Sequence, residues 1–219
     1  MSAIYVNSIK DKTDTRELAS DSGSAWNWGS GLPSGSIVQV QHTQYGDGAS
    51  ETGDMQTLSN NTNYVLQASG NTSGGSQSGI LDVNITPRIY GSKIWLQCHW
   101  MGELSVDQSY DTVFFFWRNT TKIASAVTLN SPSDGEKGIS MATQTYKGDA
   151  DASSTPEILN MQYFDTHGQT QSEVNTGTQI TYKVGFSFTA GVTRIATNRT
   201  IGGTHEVGVS SICAIELAP

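Results

Sequence analysis

The sequence predicts an all-β protein, a two-sheet sandwich of the Greek-key or jelly-roll type, on three observations. From Ser36 onward, short runs rich in β-branched and aromatic residues recur, each bounded by Gly, Pro, Asn, Asp or Ser. No segment sustains an apolar period of 3.6 residues, which leaves little room for helix. The composition agrees: 36% of the 219 residues are hydrophobic, and Ser, Thr, Asn, Gln and Gly dominate the rest. That mixture suits short strands joined by polar turns.

The strands are read in order. "SIVQVQHTQ" (36–44) alternates apolar and polar residues, and "GILDVNITP" (79–87) sets Ile80, Asp82 and Asn84 against Leu81, Val83 and Ile85. "SKIWLQCHWMGEL" (92–104), "TVFFFWRN" (112–119), "KIASAVTL" (122–129) and "GISMATQTYKG" (138–148) follow. "EILNMQYFD" (157–165), "TQITYKVGFSFTAG" (178–191), "VTRIATNR" (192–199) and "VGVSSICAIEL" (207–217) complete the set. The body is therefore read as residues 36–219. Residues 1–35 form an extended segment and linker: an alternating "AIYVNSI", a charged stretch, then the Gly/Ser-rich "DSGSAWNWGSGLPSGS", which is expected to form no regular element. Trp26 and Trp28 within it need an apolar surface, and a partner or neighbouring subunit is favoured.

Two strands carry the sharper expectations. Successive strand residues point to opposite faces, so Ile94, Leu96, Cys98 and Trp100 share an apolar face while Trp95, Gln97, His99 and Met101 share the other. Cys98 and His99 are thus separated by the sheet and cannot form a nucleophilic dyad. In "TVFFFWRN" five successive residues, Val113 to Trp117, are apolar, so both faces need cover. A second copy of the domain would supply it, which places Trp95, His99, Phe115 and Trp117 at a subunit interface.

The net charge of −8 repels phosphate backbones and argues against nucleic-acid binding. No apolar stretch is long enough for a membrane span, and the first residues lack the pattern of a signal peptide. A soluble protein made in a cytoplasm, and used there or released by lysis, is expected. Two reduced thiols are favoured over a Cys98–Cys213 bridge. Asn60, Asn71, Asn84, Asn119 and Asn198 fit the glycosylation pattern, as a chain this rich in Asn, Ser and Thr does by chance.

Nothing in the motifs points to catalysis. There is no G-x-S-x-G, phosphate loop or dinucleotide fingerprint, and His42, His99, His167 and His205 are not spaced as paired metal ligands. The acidic "GDGASETGD" and "KGDADASS" lack calcium-loop spacing, and Asp165 to His167 in "FDTHGQT" offers at most a weak ion site. We expect no enzyme, no metal and no cofactor. The better lead is Tyr110 and Tyr146 in loops beside Asp107, Asp111, Asp149 and Asp151, because rings stack on sugar faces while carboxylates accept hydroxyl hydrogens.

The body also resembles a module of fibre-like structural proteins of marine and freshwater tailed bacteriophages. The resemblance rests on the order of "LPSGSIVQVQHT", "VNITPRIYGSKIWLQCHW", "FFFWRNTTKIASA", "ITYKVGF", "IATNRT" and "SSICAIEL", which together span Leu32 to Leu217. The opening "MSAIYVNSIKDKT" resembles the short segment by which such proteins attach to the virion. The chain departs from the pattern in a long insert at 45–78. The resemblance implies a homotrimeric, jelly-roll-like (TNF/C1q-like) β-sandwich head carried on the virion. Its attachment residues would be Ile4, Tyr5, Val6, Ile9, Trp26 and Trp28. Host-surface glycan recognition would fall to Asp107, Tyr110, Tyr146, Asp149 and Asp151. The competing reading is a head decoration or tail adaptor that binds only other virion proteins. A glycan depolymerase is the weaker third.

Overall fold

The computed structural model describes residues 8–10, 17–21, 26–28, 32–46, 53–105, 112–123, 137–144, 156–189, 192–201 and 206–219. Near the N-terminus, β1 (Ser8–Lys10), β2 (Glu17–Asp21) and β3 (Trp26–Trp28) form an antiparallel sheet whose strands, among the described residues, pair with one another. Ala19 lies opposite both Ile9 and Trp28. This corrects the expectation that the Gly/Ser-rich segment forms no regular element. Pairing with β2 supplies hydrogen bonds that local propensity does not foretell. Ile9, Trp26 and Trp28 sit on these strands, while Ile4, Tyr5 and Val6 lie outside the described residues.

The body is a β-sandwich, as expected. The smaller sheet runs β11 (Thr121–Ile123), β10 (Val113–Arg118), β14 (Ile180–Ser187), and the far edge of β14 is shared by β6 (Tyr64–Val65) and β8 (Asp82–Ile85). The larger sheet runs β12 (Thr143–Gln144), β13 (Glu157–Asp165), β9 (Lys93–Leu104). The other edge of β9 is divided. Its first part pairs with β16 (Ser210–Leu217), which leads to β4 (Ile37–Tyr45). Its last part pairs with β15 (Arg194–Thr197), which leads to β5 (Gly53–Gln56) and the parallel β7 (Ser69–Gly70). The one described helix, α1 (Gln171–Asn175), is a single capped turn in which Thr170 and Glu173 bond reciprocally.

The core lies where the inner faces meet. Leu96, Cys98, Trp100, Leu159, Met161, Ile212 and Ala214 of the larger sheet pack toward Val83, Ile85, Phe114, Phe116, Tyr182, Val184 and Phe186 of the smaller one. The pleat read from "KIWLQCHWM" holds: Ile94, Leu96 and Trp100 are fully buried and Cys98 nearly so. Trp100 stacks at a tilt on Phe114, with ring centres 5.2 Å apart, and its indole N–H donates to Thr197 Oγ1 at 2.9 Å. A buried indole thus keeps its hydrogen bond.

The two-sided strand β10 is covered by its own chain. Phe114 and Phe116 point into the core, while Phe115 and Trp117 pack with Val65 in a second buried cluster. The cover is the insert. Trp117 Nε1 donates to the Tyr64 carbonyl at 3.1 Å, and Gly75 lies so close to the Trp117 ring that no Cβ fits between them. Lys122 sits 4.1 Å from the Phe115 ring centre and donates to Asn63 Oδ1 at 3.0 Å. Phe115 and Trp117 were expected at a subunit interface. With Phe115 0% and Trp117 6% exposed, neither is available to a partner.

Candidate functional site

The pleat also sets out a second face, on the outside of the larger sheet. Directly opposed residues of paired strands share a face, so the register gives continuous rows across β13, β9, β16 and β4. One row reads Phe164, Trp95, Ile215, Val40. The next reads Gln162, Gln97, Cys213, His42, and the third Asn160, His99, Ser211, Gln44. Ile158 and Met101 begin a fourth. An open depression of about 640 Å³ lies over the second and third rows, lined by His42, Gln97, His99, Asn160, Gln162, Ser211 and Cys213 among others.

The rim is aromatic. Trp95 and Phe164 stack with ring centres 5.5 Å apart and planes 15° apart. Phe164 is 53% exposed, Val40 51% and Ile158 37%. Trp95 Nε1 is buried and makes no hydrogen bond. Within the depression, His99 Nδ1 lies 2.9 Å from Asn160 Oδ1. An amide oxygen only accepts, so Nδ1 is the donor in this contact. None of the residues named in these rows is an Asp, Glu, Lys or Arg. The net charge of −8 is therefore carried elsewhere.

The two cysteines lie on neighbouring strands and on opposite faces. Cys98 is opposite Ile212 and Cys213 opposite Gln97, and both are free thiols. Burial pushes both thiols up, Cys98 most strongly, so neither is an activated nucleophile. The depression can therefore bind through amides, imidazoles and a hydroxyl, without a group poised for covalent chemistry.

The remaining polar clusters serve the fold. The carboxylate of the fully buried Glu216 accepts from the backbone N–H of Arg88 and Ile89, from Ser92 Oγ at 2.8 Å and from Gln39 Nε2 at 2.6 Å. His167 Nδ1 accepts from the Gln169 N–H at 3.2 Å, so its Nε2 donates to Ser92 Oγ at 3.3 Å. Burial holds this imidazole below its ordinary pKa. Asp165 accepts from Arg118 at 2.9 Å and from the Tyr182 hydroxyl at 2.6 Å. Asp165 and His167, weighed above as an ion site, are thus engaged in holding strands together. Among the described residues no three His, Cys, Asp or Glu side chains converge on a point that could hold a metal.

Of the residues singled out from sequence, Trp95 and His99 come together on the outer face. Asp107, Tyr110, Asp111, Tyr146, Asp149 and Asp151 lie outside the described residues. Phe164, Asn160, Gln162, His42 and Cys213 were missed as members of the face. Their signal was the same alternation: in "EILNMQYFD", Leu159 and Met161 are buried while Ile158, Asn160, Gln162 and Phe164 are exposed. No protein-family model matches the chain, and a search of curated proteins returned no match.

Proposed function

We propose that the chain is a bacteriophage virion fibre protein, anchored by residues 1–35 and presenting a trimeric, jelly-roll-like head to host-surface glycans. The virion assignment rests on the resemblance of ordered strand phrases from Leu32 to Leu217. The observation that supports self-association is the outer face of the larger sheet. It combines exposed Phe164, Val40 and Ile158 with amide and imidazole side chains, and it carries no carboxylate at its open positions. Copies of a chain with net charge −8 repel one another, so the face on which they meet has to be one that leaves the negative charge outside the contact.

Light scattering coupled to gel filtration tests the assembly. A trimer is expected, and Phe164→Glu or Gln97→Glu should give monomers with an unchanged far-ultraviolet spectrum. A monomeric wild type at micromolar concentration overturns it. Deleting residues 1–35 should leave the trimer and abolish incorporation into particles. Saturable binding of the trimer to host cells supports receptor recognition, and its absence reduces the proposal to a structural virion part.

A further inference from the structure

The connection from β13 to β14 is pinned to the sandwich by very little. Of residues 166–179, only His167 and Val174 are buried. The backbone N–H groups of Gly168, Val174, Thr176, Gly177 and Thr178 all donate to carbonyls of the same segment. Gln169 Nε2 likewise donates to the Thr178 carbonyl at 2.8 Å. A segment with so few buried contacts belongs to the low-stability end of a fold.

His167 ties this segment down at its β13 end, and the tie admits one protonation state. Ser92 Oγ gives its hydrogen to Glu216 Oε1 at 2.8 Å, so toward the imidazole it can only accept. The ring therefore carries its hydrogen on Nε2, and Nδ1 accepts the Gln169 N–H at 3.2 Å. A second ring proton has to go on Nδ1, where it meets that N–H head-on. The carboxylates nearby are already engaged. Asp165 accepts from Arg118 and the Tyr182 hydroxyl, and Glu216 from Ser92, Gln39 and the Arg88 and Ile89 N–H groups. Burial is the largest influence on the ring and keeps it neutral; Asp165 and Glu216 favour its charged form, and Arg118 opposes it.

The closed segment is also strained. His167 has φ +43°, where a residue other than glycine is uncommon, at the centre of a turn closed by the Gly168 N–H on the Thr166 carbonyl. Gln169 Oε1 is buried without a hydrogen bond. Both costs are relieved when the segment lifts into water.

We propose that His167 is an acid-released latch: a proton taken up at Nδ1 expels the Gln169 N–H and frees residues 166–179 from the sandwich while both sheets stay paired. The open segment carries an ordinary imidazole, with a pKa of about 6.5, and accepts a proton that the closed one refuses. Closure is thus fully favoured above that pH and weakens as pH falls through it. Between pH 7.5 and 5 the ratio of open to closed rises by up to about 30-fold. The latch stands independently of the virion reading.

Hydrogen exchange of the full-length chain at pH 7.5, 6.5 and 5, read by mass spectrometry and corrected for the intrinsic pH dependence of exchange, tests it. Peptides covering 166–178 should lose protection by about tenfold or more, while those of β9 and β13 keep theirs. In His167→Asn, a residue that tolerates the left-handed backbone, protection of the segment should not change with pH, whether it is then closed or open. A wild-type segment that is unprotected at pH 7.5, or equally protected at all three values, overturns the proposal. So does a loss shared equally by β9 and β13, or one that persists in His167→Asn.

Discussion

Glu157 gives the chain a pH dependence that its composition does not suggest. The side chain is 1% exposed, and Oε2 accepts the Leu104 N–H at 2.7 Å. Burial, with the Glu103 carboxylate adding to it, pushes the Glu157 carboxyl up to about 8 from an ordinary 4.5, against the opposing Leu104 bond. The folded chain thus holds a proton that the unfolded chain releases near pH 4.5. The resulting stabilisation is complete below pH 4.5 and is lost as pH rises through 8. Over that interval it amounts to on the order of 4 to 5 kcal/mol, a large part of the roughly 5 to 15 kcal/mol that holds a domain folded. Glu157→Gln keeps an oxygen for the Leu104 N–H and removes the titration. Urea unfolding at pH 5, 6, 7, 8 and 9 should show the wild type losing stability more steeply than the variant, with the variant the more stable at pH 9. Parallel pH curves for the two proteins would refute the reasoning.

Three further outcomes are expected. Trp117→Ala should destabilise by about 3 to 5 kcal/mol in urea, whereas Phe164→Ala, at 53% exposure, should cost the isolated subunit less than about 1 kcal/mol. Similar losses would mean that Trp117 is not sealed under the insert. In a Phe164→Glu monomer, a thiol titration of the folded chain should find one accessible group, Cys213, and denaturation should release the second, Cys98; Cys213→Ser in that background should leave none reactive before denaturation. Gly185→Ala should destabilise by about 1 to 3 kcal/mol, because its methyl group would collide with Phe115 and Trp117, and a neutral effect would argue that this cluster is loosely packed.

Much of the fold was legible because period-2 alternation reports directly on strand faces. "KIWLQCHWM" divides into a buried and an open set as the pleat requires, and "EILNMQYFD" divides in the same way. What stayed hidden depends on contacts between distant segments. β5, β6 and β7 are two to four residues long and fall in a Gly/Ser/Asn-rich insert, where pairing with β14 and β15 creates structure that local composition does not favour. Glu216, in a run that otherwise reads as core, is buried because Arg88, Ile89, Ser92 and Gln39 arrive from elsewhere to satisfy it. No local pattern announces such a cluster.

The same logic explains why Phe115 and Trp117 are not left for a partner subunit to cover. Both outer faces of the sandwich carry aromatic residues, and burial of an aromatic side chain is favourable whoever supplies the cover. Over β10 the supplier is intramolecular. Val65 and Gly75 of the insert reach Phe115 and Trp117, and Gly185, opposite Phe115, leaves room for both rings. A partner subunit has nothing left to cover there. Over β13, β9, β16 and β4 the described chain offers no such segment to the Phe164–Trp95–Ile215–Val40 row, of which Phe164 and Val40 remain about half exposed. Five successive apolar residues in β10 therefore mark a strand that the chain's own insert covers, while the quieter alternation of β9 and β13 marks a face that the described residues leave partly open.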